Sequence, residues 1–255
     1  MFKPGIFSGQ VALVTGGGSG IGFAIARQLL HYGAEVFIAS RKEERLKEAA
    51  AKLSEFGPCH PFQLDIREPE RIEELAAFIK EKSGKLHLLV NNAGGQFPSP
   101  AEGISPKGWL AVINTNLNGT WFMTQAMAQH FFFPQKQGNI VNIIVDLHCG
   151  FPGMAHTGAA RAGVDNLTKS LAVEWANRGI RINCVAPGII QSTGLDNYPP
   201  ELVAQVSKTV PMKRLGATDE VAEAVLFLAL SKYISGETLY VDGASRLWGD
   251  MWEIE

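Results

Sequence analysis

The chain has 255 residues, 46% of them hydrophobic and 19% charged, with a formal net charge of -2. That length and apolar fraction suffice for one globular domain, read as 1–255, with a sizeable core. The near-neutral balance excludes the basic stripe that neutralising a row of nucleic-acid phosphates requires.

Cys59, Cys149 and Cys184 are odd in number, far apart and without CxxC or histidine partner spacing. They speak against a disulfide framework and a zinc site, so no metal is expected. The opening MFKPGIFSGQ has no apolar signal stretch, the late apolar run 224–230 is far below a membrane span, and Glu253-Ile254-Glu255 is unlike a peroxisomal SKL ending. A cytoplasmic protein is expected, with neither membrane nor nucleic acid as partner.

In chain order, short β-branched and aliphatic runs fall at 11–15, 36–39, 61–64, 86–91, 140–145, 181–186 and 238–241. Between them, apolar residues recur at helical spacing over 20–32, 41–56, 68–82, 106–133, 158–177 and 219–230. Strand then helix, repeated, predicts an α/β fold: a single Rossmann-type, doubly wound, seven-stranded parallel sheet with helices on both faces. The Pro/Gly clusters at 94–100 and 187–200 sit where strands end. In such sheets that is where ligands bind.

Thr15-Gly16-Gly17-Gly18-Ser19-Gly20-Ile21-Gly22 follows the first predicted strand and opens the first predicted helix. Gly16 permits a tight turn, Gly20 lets backbone approach a pyrophosphate at the positive helix mouth, and Gly22 lets helix and sheet pack closely. At the end of the second strand, an acidic residue would bind the ribose hydroxyl of NAD. Ser40 stands there instead, followed by Arg41 and Lys42. A guanidinium suits a ribose phosphate, so NADP(H) is expected, against the alternative that Arg41 and Lys42 only solvate a helix start.

The series TGGGSGIG, Leu64-Asp65-Ile66, Asn91-Asn92-Ala93-Gly94, Asn116, Pro187-Gly188 and Val241-Asp242-Gly243 resembles, in order and over essentially the whole chain, the motifs of the short-chain dehydrogenase/reductase family. The resemblance implies that Asp65 and Ile66 flank the adenine and that the Asn92-Ala93-Gly94 backbone lines its ribose. It also implies that Pro187, Gly188 and Ile190 meet the nicotinamide carboxamide, and that long helices pair into a homodimer or homotetramer.

The family's usual Tyr-x-x-x-Lys pair is missing: Thr157 stands for the tyrosine, Arg161 for the lysine, and Ile144 or Val145 for the serine. None of Tyr32, Tyr198, Tyr233 and Tyr240 falls in this segment. Gly94–Glu102, Ser105–Trp109, Ile140–Val145 and Gly158–Val164 further resemble the peroxisomal trans-2-enoyl-CoA reductases and their neighbours, the 2,4-dienoyl-CoA reductases. That likeness implies NADPH-dependent reduction of a double bond conjugated to an acyl-CoA thioester. Such chemistry needs a cradle for a thioester oxygen more than a phenol acid.

Under it, Arg161 would hold the nicotinamide ribose and keep positive charge near the reacting centre, while Asn116 would hold a helix irregularity. Water would deliver the proton, with His148 or His156 as alternatives, and Asp146 and Thr157 as weaker candidates in the same segment. Asp165 and Lys169 read as an i, i+4 ion pair. Phe131-Phe132-Phe133, Trp248 and Trp252 read as core or interface aromatics, and Lys213 and Arg214 as possible contacts for CoA phosphates or a solvated face. Two other functions stay open: an alcohol or aldehyde (citronellol-like) dehydrogenase or 3-oxoacyl reductase, and a catalytically silent NADP-binding sensor or scaffold.

Overall fold

The structure is a computed structural model that describes residues 2–192, 195 and 208–247. Seven parallel strands form the main sheet: β1 (Val11–Thr15), β2 (Glu35–Ser40), β3 (Cys59–Gln63), β4 (Leu88–Asn91), β5 (Gly138–Ile143), β6 (Ile180–Pro187) and β9 (Thr238–Val241), in the order β3-β2-β1-β4-β5-β6-β9. The order reverses direction between β1 and β4. Loops leaving the carboxyl ends of these two strands diverge and open the crevice where doubly wound sheets bind ligands.

The strands read as near-continuous apolar runs because both faces are covered. Ala12, Val14, Val36, Ile38, Val90, Val141 and Val185 point to one face, against α1 (Gly20–His31), α2 (Glu43–Leu53) and α8 (Thr218–Leu230). Val11, Leu13, Phe37, Leu89, Ile140 and Ile182 point to the other, against α3 (Pro69–Ser83), α5 (Gly119–Met127) and α7 (Ala155–Glu174). Each such valine, leucine, isoleucine or phenylalanine side chain removed from water contributes about 1.5–3 kcal/mol, so the two layers hold the sheet rigid beneath the loops.

The region predicted as one helix over 106–133 is continuous in direction but changes winding twice. α4 (Pro106–Ile113) passes into a π segment, Asn114–Asn118, then α5, then a second π segment, Ala128–Phe132, and a last turn, α6 (Phe133–Gln135). Ser105 caps α4, its hydroxyl accepting the Gly108 amide at 3.1 Å. Phe131 and Phe132 are core residues, while Phe133 packs edge-on against Trp175.

The helix predicted from residue 158 starts three residues earlier, so His156 and Thr157 lie in its first turn rather than in a loop. The cluster predicted as loop at 187–200 begins with a short parallel ribbon, β7 (Ile190–Gln191) on β8 (Gly216–Ala217). Trp248, Trp252, Tyr198 and the terminal Glu253-Ile254-Glu255 lie outside the described residues. Among the described residues no helix is long and apolar enough to cross a membrane.

Candidate active site

The glycine turn and the loop after β4 are knitted together. Thr15 Oγ1 accepts the amides of Asn92 and Ala93, each at 3.0 Å, and donates to the Val90 carbonyl at 3.3 Å. The Asn92 side-chain amide donates to the Thr15 carbonyl at 2.9 Å. Gly16 takes a φ of +67°, and a methyl group at Gly22 would lie 2.4 Å from the Gly16 carbonyl oxygen. The turn therefore folds back onto α1 as only glycine permits. Ser19 precedes α1 in extended conformation with no side-chain cap, so amides of the first turn, from Gly20, Ile21 and Gly22 onward, keep the positive helix mouth open to an anion.

Ser40 ends β2 beside Gly18, and Arg41 is exposed just past it. Arg45, one helical turn on, runs past the same glycine, 3.9 Å from where its β-carbon would stand. Sequence reading did not single it out, although the spacing of four from Arg41 was there to see. The Asp65 carboxylate takes a two-pronged grip from the Arg67 guanidinium, at 2.5 and 2.9 Å. Hydrogen bonding to Arg67 holds its carboxyl below the usual range, with Arg41 adding to the effect. Ile66 is buried against Gly119 of α5.

Across the cleft, Asn116 sits in the first π segment, fully buried. Its side chain closes a ring with Gly95, accepting the Gly95 amide at 3.0 Å and donating to the Gly95 carbonyl at 2.8 Å. The extra residue in the winding turns Asn116 onto the loop; the predicted irregularity is thus present. Gly94 is pressed against Arg161, since a β-carbon there would lie 2.1 Å from Arg161 Nη2 and 2.8 Å from Asn116 Oδ1.

Arg161 is 7% exposed, and its Nε and Nη1 have no hydrogen-bond partner. Burial pushes the guanidinium down to about 10, which leaves it charged at neutral pH. An unpaired buried cation is costly, so this group is suited to receive oxygen atoms from a ligand.

His156 is fully buried beneath Phe97, with ring centroids 4.5 Å apart. Thr157 is buried too, its hydroxyl 3.3 Å from His156 Nδ1. Asp146 is half-buried and its carboxylate accepts the amide of exposed His148, a local turn rather than a contact with Arg161 or His156. Asp165 and Lys169 pair at 2.5 Å, and Asp165 also accepts the Thr238 hydroxyl.

Pro187 and Gly188 join the nearby strand ends, the Pro187 carbonyl accepting the Asp146 amide and the Gly188 amide donating to Val241. Ile190 starts the short ribbon. Arg214 is engaged by Glu220 and Lys213 by the Lys208 carbonyl. Among the described residues no cluster of three or more His, Cys, Asp or Glu could hold a metal ion.

The sheet order, the glycine turn at a helix mouth and the polar loop facing it define a dinucleotide-binding α/β domain. The family model described as Enoyl-(Acyl carrier protein) reductase matches residues 16–244. The chain belongs to the short-chain dehydrogenase/reductase family, whose oxidoreductases work with a nicotinamide cofactor.

It is 37% identical to a probable 2,4-dienoyl-CoA reductase of Bacillus subtilis (strain 168), covering 93% of this chain and 97% of the relative. Against a peroxisomal 2,4-dienoyl-CoA reductase of Danio rerio it is 39% identical, over 97% and 85% of the two chains. Among solved structures, a citronellol catabolism dehydrogenase of Pseudomonas aeruginosa PAO1 superimposes with a TM-score of 0.87 at 41% identity, over 96% and 98% of the chains. An actinorhodin polyketide ketoreductase with NADPH superimposes at 0.89 and 31% identity, over 94% and 98%.

Proposed function

We propose that this oxidoreductase uses NADP(H) to reduce the conjugated carbon–carbon double bond of an enoyl-CoA-type thioester. The carrying observation is the buried Arg161 guanidinium, with two unpartnered nitrogens where the family pattern has lysine, on a helix with no tyrosine. The glycine turn and the first turn of α1 would hold the pyrophosphate, and Ser40, Arg41 and Arg45 the ribose phosphate. Bound reduced nicotinamide supplies a hydride to the β-carbon.

The chain's own part is positional and electrostatic. Arg161 orients the nicotinamide ribose and keeps a fixed positive charge beside the oxygen on which negative charge develops. Asn116 and Gly95 fix the loop that Arg161 packs against. Water protonates the α-carbon. Relatives named 2,4-dienoyl-CoA reductases support the substrate class. We further propose a cytoplasmic homodimer or homotetramer formed through the long helices. α4 and α7 pack side by side and leave Trp109, Leu110 and Val173 exposed, which supports that pairing.

The test is the full chain with NADPH and crotonyl-CoA or a longer enoyl-CoA, followed by NADPH absorbance. Oxidation is expected, with NADH poorer by roughly ten- to a hundredfold for the lost contacts to a charged phosphate. A second reading, oxidation of a citronellol-like alcohol, is favoured by the 41%-identical citronellol catabolism dehydrogenase and disfavoured by the lack of a phenol on α7. Turnover of NADP+ with citronellol and none with thioesters would establish it. Binding of NADPH without turnover of any thioester, aldehyde or ketone would indicate a silent sensor or scaffold.

A further inference from the structure

The geometry points to His156 as a catalytic residue: its Nε2–H is the donor that receives the negative oxygen of the substrate, from the position next to Thr157, which stands for the family's tyrosine. The inference rests on the proposed carbonyl chemistry and adds to it the group that touches the reacting oxygen.

His156 lies in the first turn of α7 and is fully buried. Its Nδ1 faces the Thr157 backbone amide at 2.8 Å, with the Thr157 hydroxyl at 3.3 Å. The Thr157 amide, shared with the Met154 carbonyl at 2.9 Å, can only donate, which assigns the lone pair to Nδ1 and the ring proton to Nε2. With Nδ1 accepting, the ring offers a single donor, Nε2–H. A ring N–H held this way serves as an electrophile.

That donor has no partner: Nε2 is one of the buried polar atoms left unsatisfied among the described residues. Leaving a buried donor so is costly. The ring is also held in place, since Phe97 packs edge-to-face on it. Phe97 belongs to the loop that includes Gly94 and Gly95, which lie against Arg161 and Asn116. Arg161 stands five positions further along α7 and is buried too. Two side chains with unsatisfied donors thus lie on one helix, and each touches the same loop, His156 at Phe97 and Arg161 at Gly94. A core histidine without a function would be expected to spend its second nitrogen on a carbonyl or hydroxyl.

In the reaction, hydride arrives at the β-carbon, the electron pair of the double bond shifts toward the carbonyl, and the oxygen gains negative charge. Nε2–H donates a hydrogen bond to that oxygen and keeps its proton. Charge leaves the oxygen when the α-carbon takes a proton from water, which departs as hydroxide to the solvent, and His156 ends as it began.

The experiment compares the full chain with His156→Phe and His156→Gln, measuring kcat and KM for crotonyl-CoA, NADPH affinity and melting temperature. Phenylalanine keeps the packing on Phe97 and removes the donor; glutamine restores an N–H at similar reach. We expect kcat to fall about a hundred- to a thousandfold in His156→Phe with NADPH affinity unchanged, and to recover to within about tenfold of the native enzyme in His156→Gln. Equal kcat in His156→Phe and the native chain overturns the inference, as do parallel losses in both variants that track a lowered melting temperature.

Should His156→Phe fail to fold, the ring N–H resonance of the native protein decides. Adding NADP+ and butyryl-CoA moves it downfield if Nε2–H meets the thioester oxygen, and an unmoved signal overturns the inference. If the native chain turns over no thioester, the thioester reading fails by itself, and the same variants with NADP+ and citronellol test the donor.

Discussion

The two walls of the cleft are built on opposite plans. On the glycine-turn side, polar groups close on one another: Thr15 Oγ1 serves Asn92 and Ala93 and donates to Val90, and the Asn92 amide returns to Thr15. On the α7 side they do not. Among the described residues, three of the five buried side-chain atoms without a partner are Arg161 Nε, Arg161 Nη1 and His156 Nε2. One wall is finished by folding alone and presents backbone amides, while the other is left for a ligand to complete. Residues of the first wall are therefore needed for fold and affinity together, and those of the second work at the expense of stability.

The largest effect expected from that contrast is at Arg161. Arg161→Met removes a buried charge that has no counter-ion and leaves an apolar chain of similar length. Melting temperature should hold or rise, since exchanging buried charges for packed apolar groups is neutral or stabilising by about 1–4 kcal/mol. Turnover should fall about a hundred- to a thousandfold. A variant that melts well below the native chain would break the comparison, because the guanidinium would then be part of the fold's own support. Thermal melts and steady-state kinetics on one preparation give both readouts.

A smaller effect tests the opposite wall. Arg41 is exposed beyond β2, with its charge felt by Asp65. Arg41→Ala should weaken NADPH roughly tenfold, the worth of one charge-assisted contact, and leave NADH binding and melting temperature unchanged. Arg45 occupies the adjacent turn, so the double variant with Arg45→Ala should lose more. An NADPH affinity indifferent to both changes would move the phosphate elsewhere and overturn NADP preference as read from Arg41.

What was legible in the sequence follows the same divide. The inner strands were readable to within about two residues because a sheet buried on both faces is nearly continuously apolar there, while the edge strands β3 and β9 are only partly buried. The glycine turn was readable because its geometry forbids other residues. α7 was placed late because Met154 ahead of it makes no side-chain cap, so no Ser, Thr, Asp or Asn marks its start. His156 and Thr157 consequently read as loop residues.

The π segments left no trace in the apolar period, since one extra residue per turn shifts a stripe too little to see in a chain of mixed side chains. The two-residue ribbon of β7 and β8 is too short to carry a pattern. Arg161 was legible as a substitution within a family pattern, whereas its isolation was not. That depends on Gly94, 67 positions earlier, leaving room for the guanidinium.

The smallest effect comes from an ion pair that water can replace, and it calibrates the other two. Glu220, in the first turn of α8, accepts from Arg214 at 2.6 and 2.8 Å and from the Ala217 amide at 2.7 Å. Arg214 above all, then the Ala217 amide, pull its carboxyl from 4.5 down to about 2. A lowered carboxyl pKa favours the folded state above about pH 4.5, and the benefit fades as pH falls toward about 2.

The side chains are 55% and 39% exposed, so screening cuts the contribution to under about 1 kcal/mol. Glu220→Gln should cost that small amount in denaturant melts at neutral pH, and the gap from the native chain should close between about pH 4.5 and about pH 2. A large, pH-independent loss would mean that α8 relies on this cap for its packing on the sheet. The exposed pair would then no longer measure what an ordinary surface contact is worth beside the unpaired Arg161.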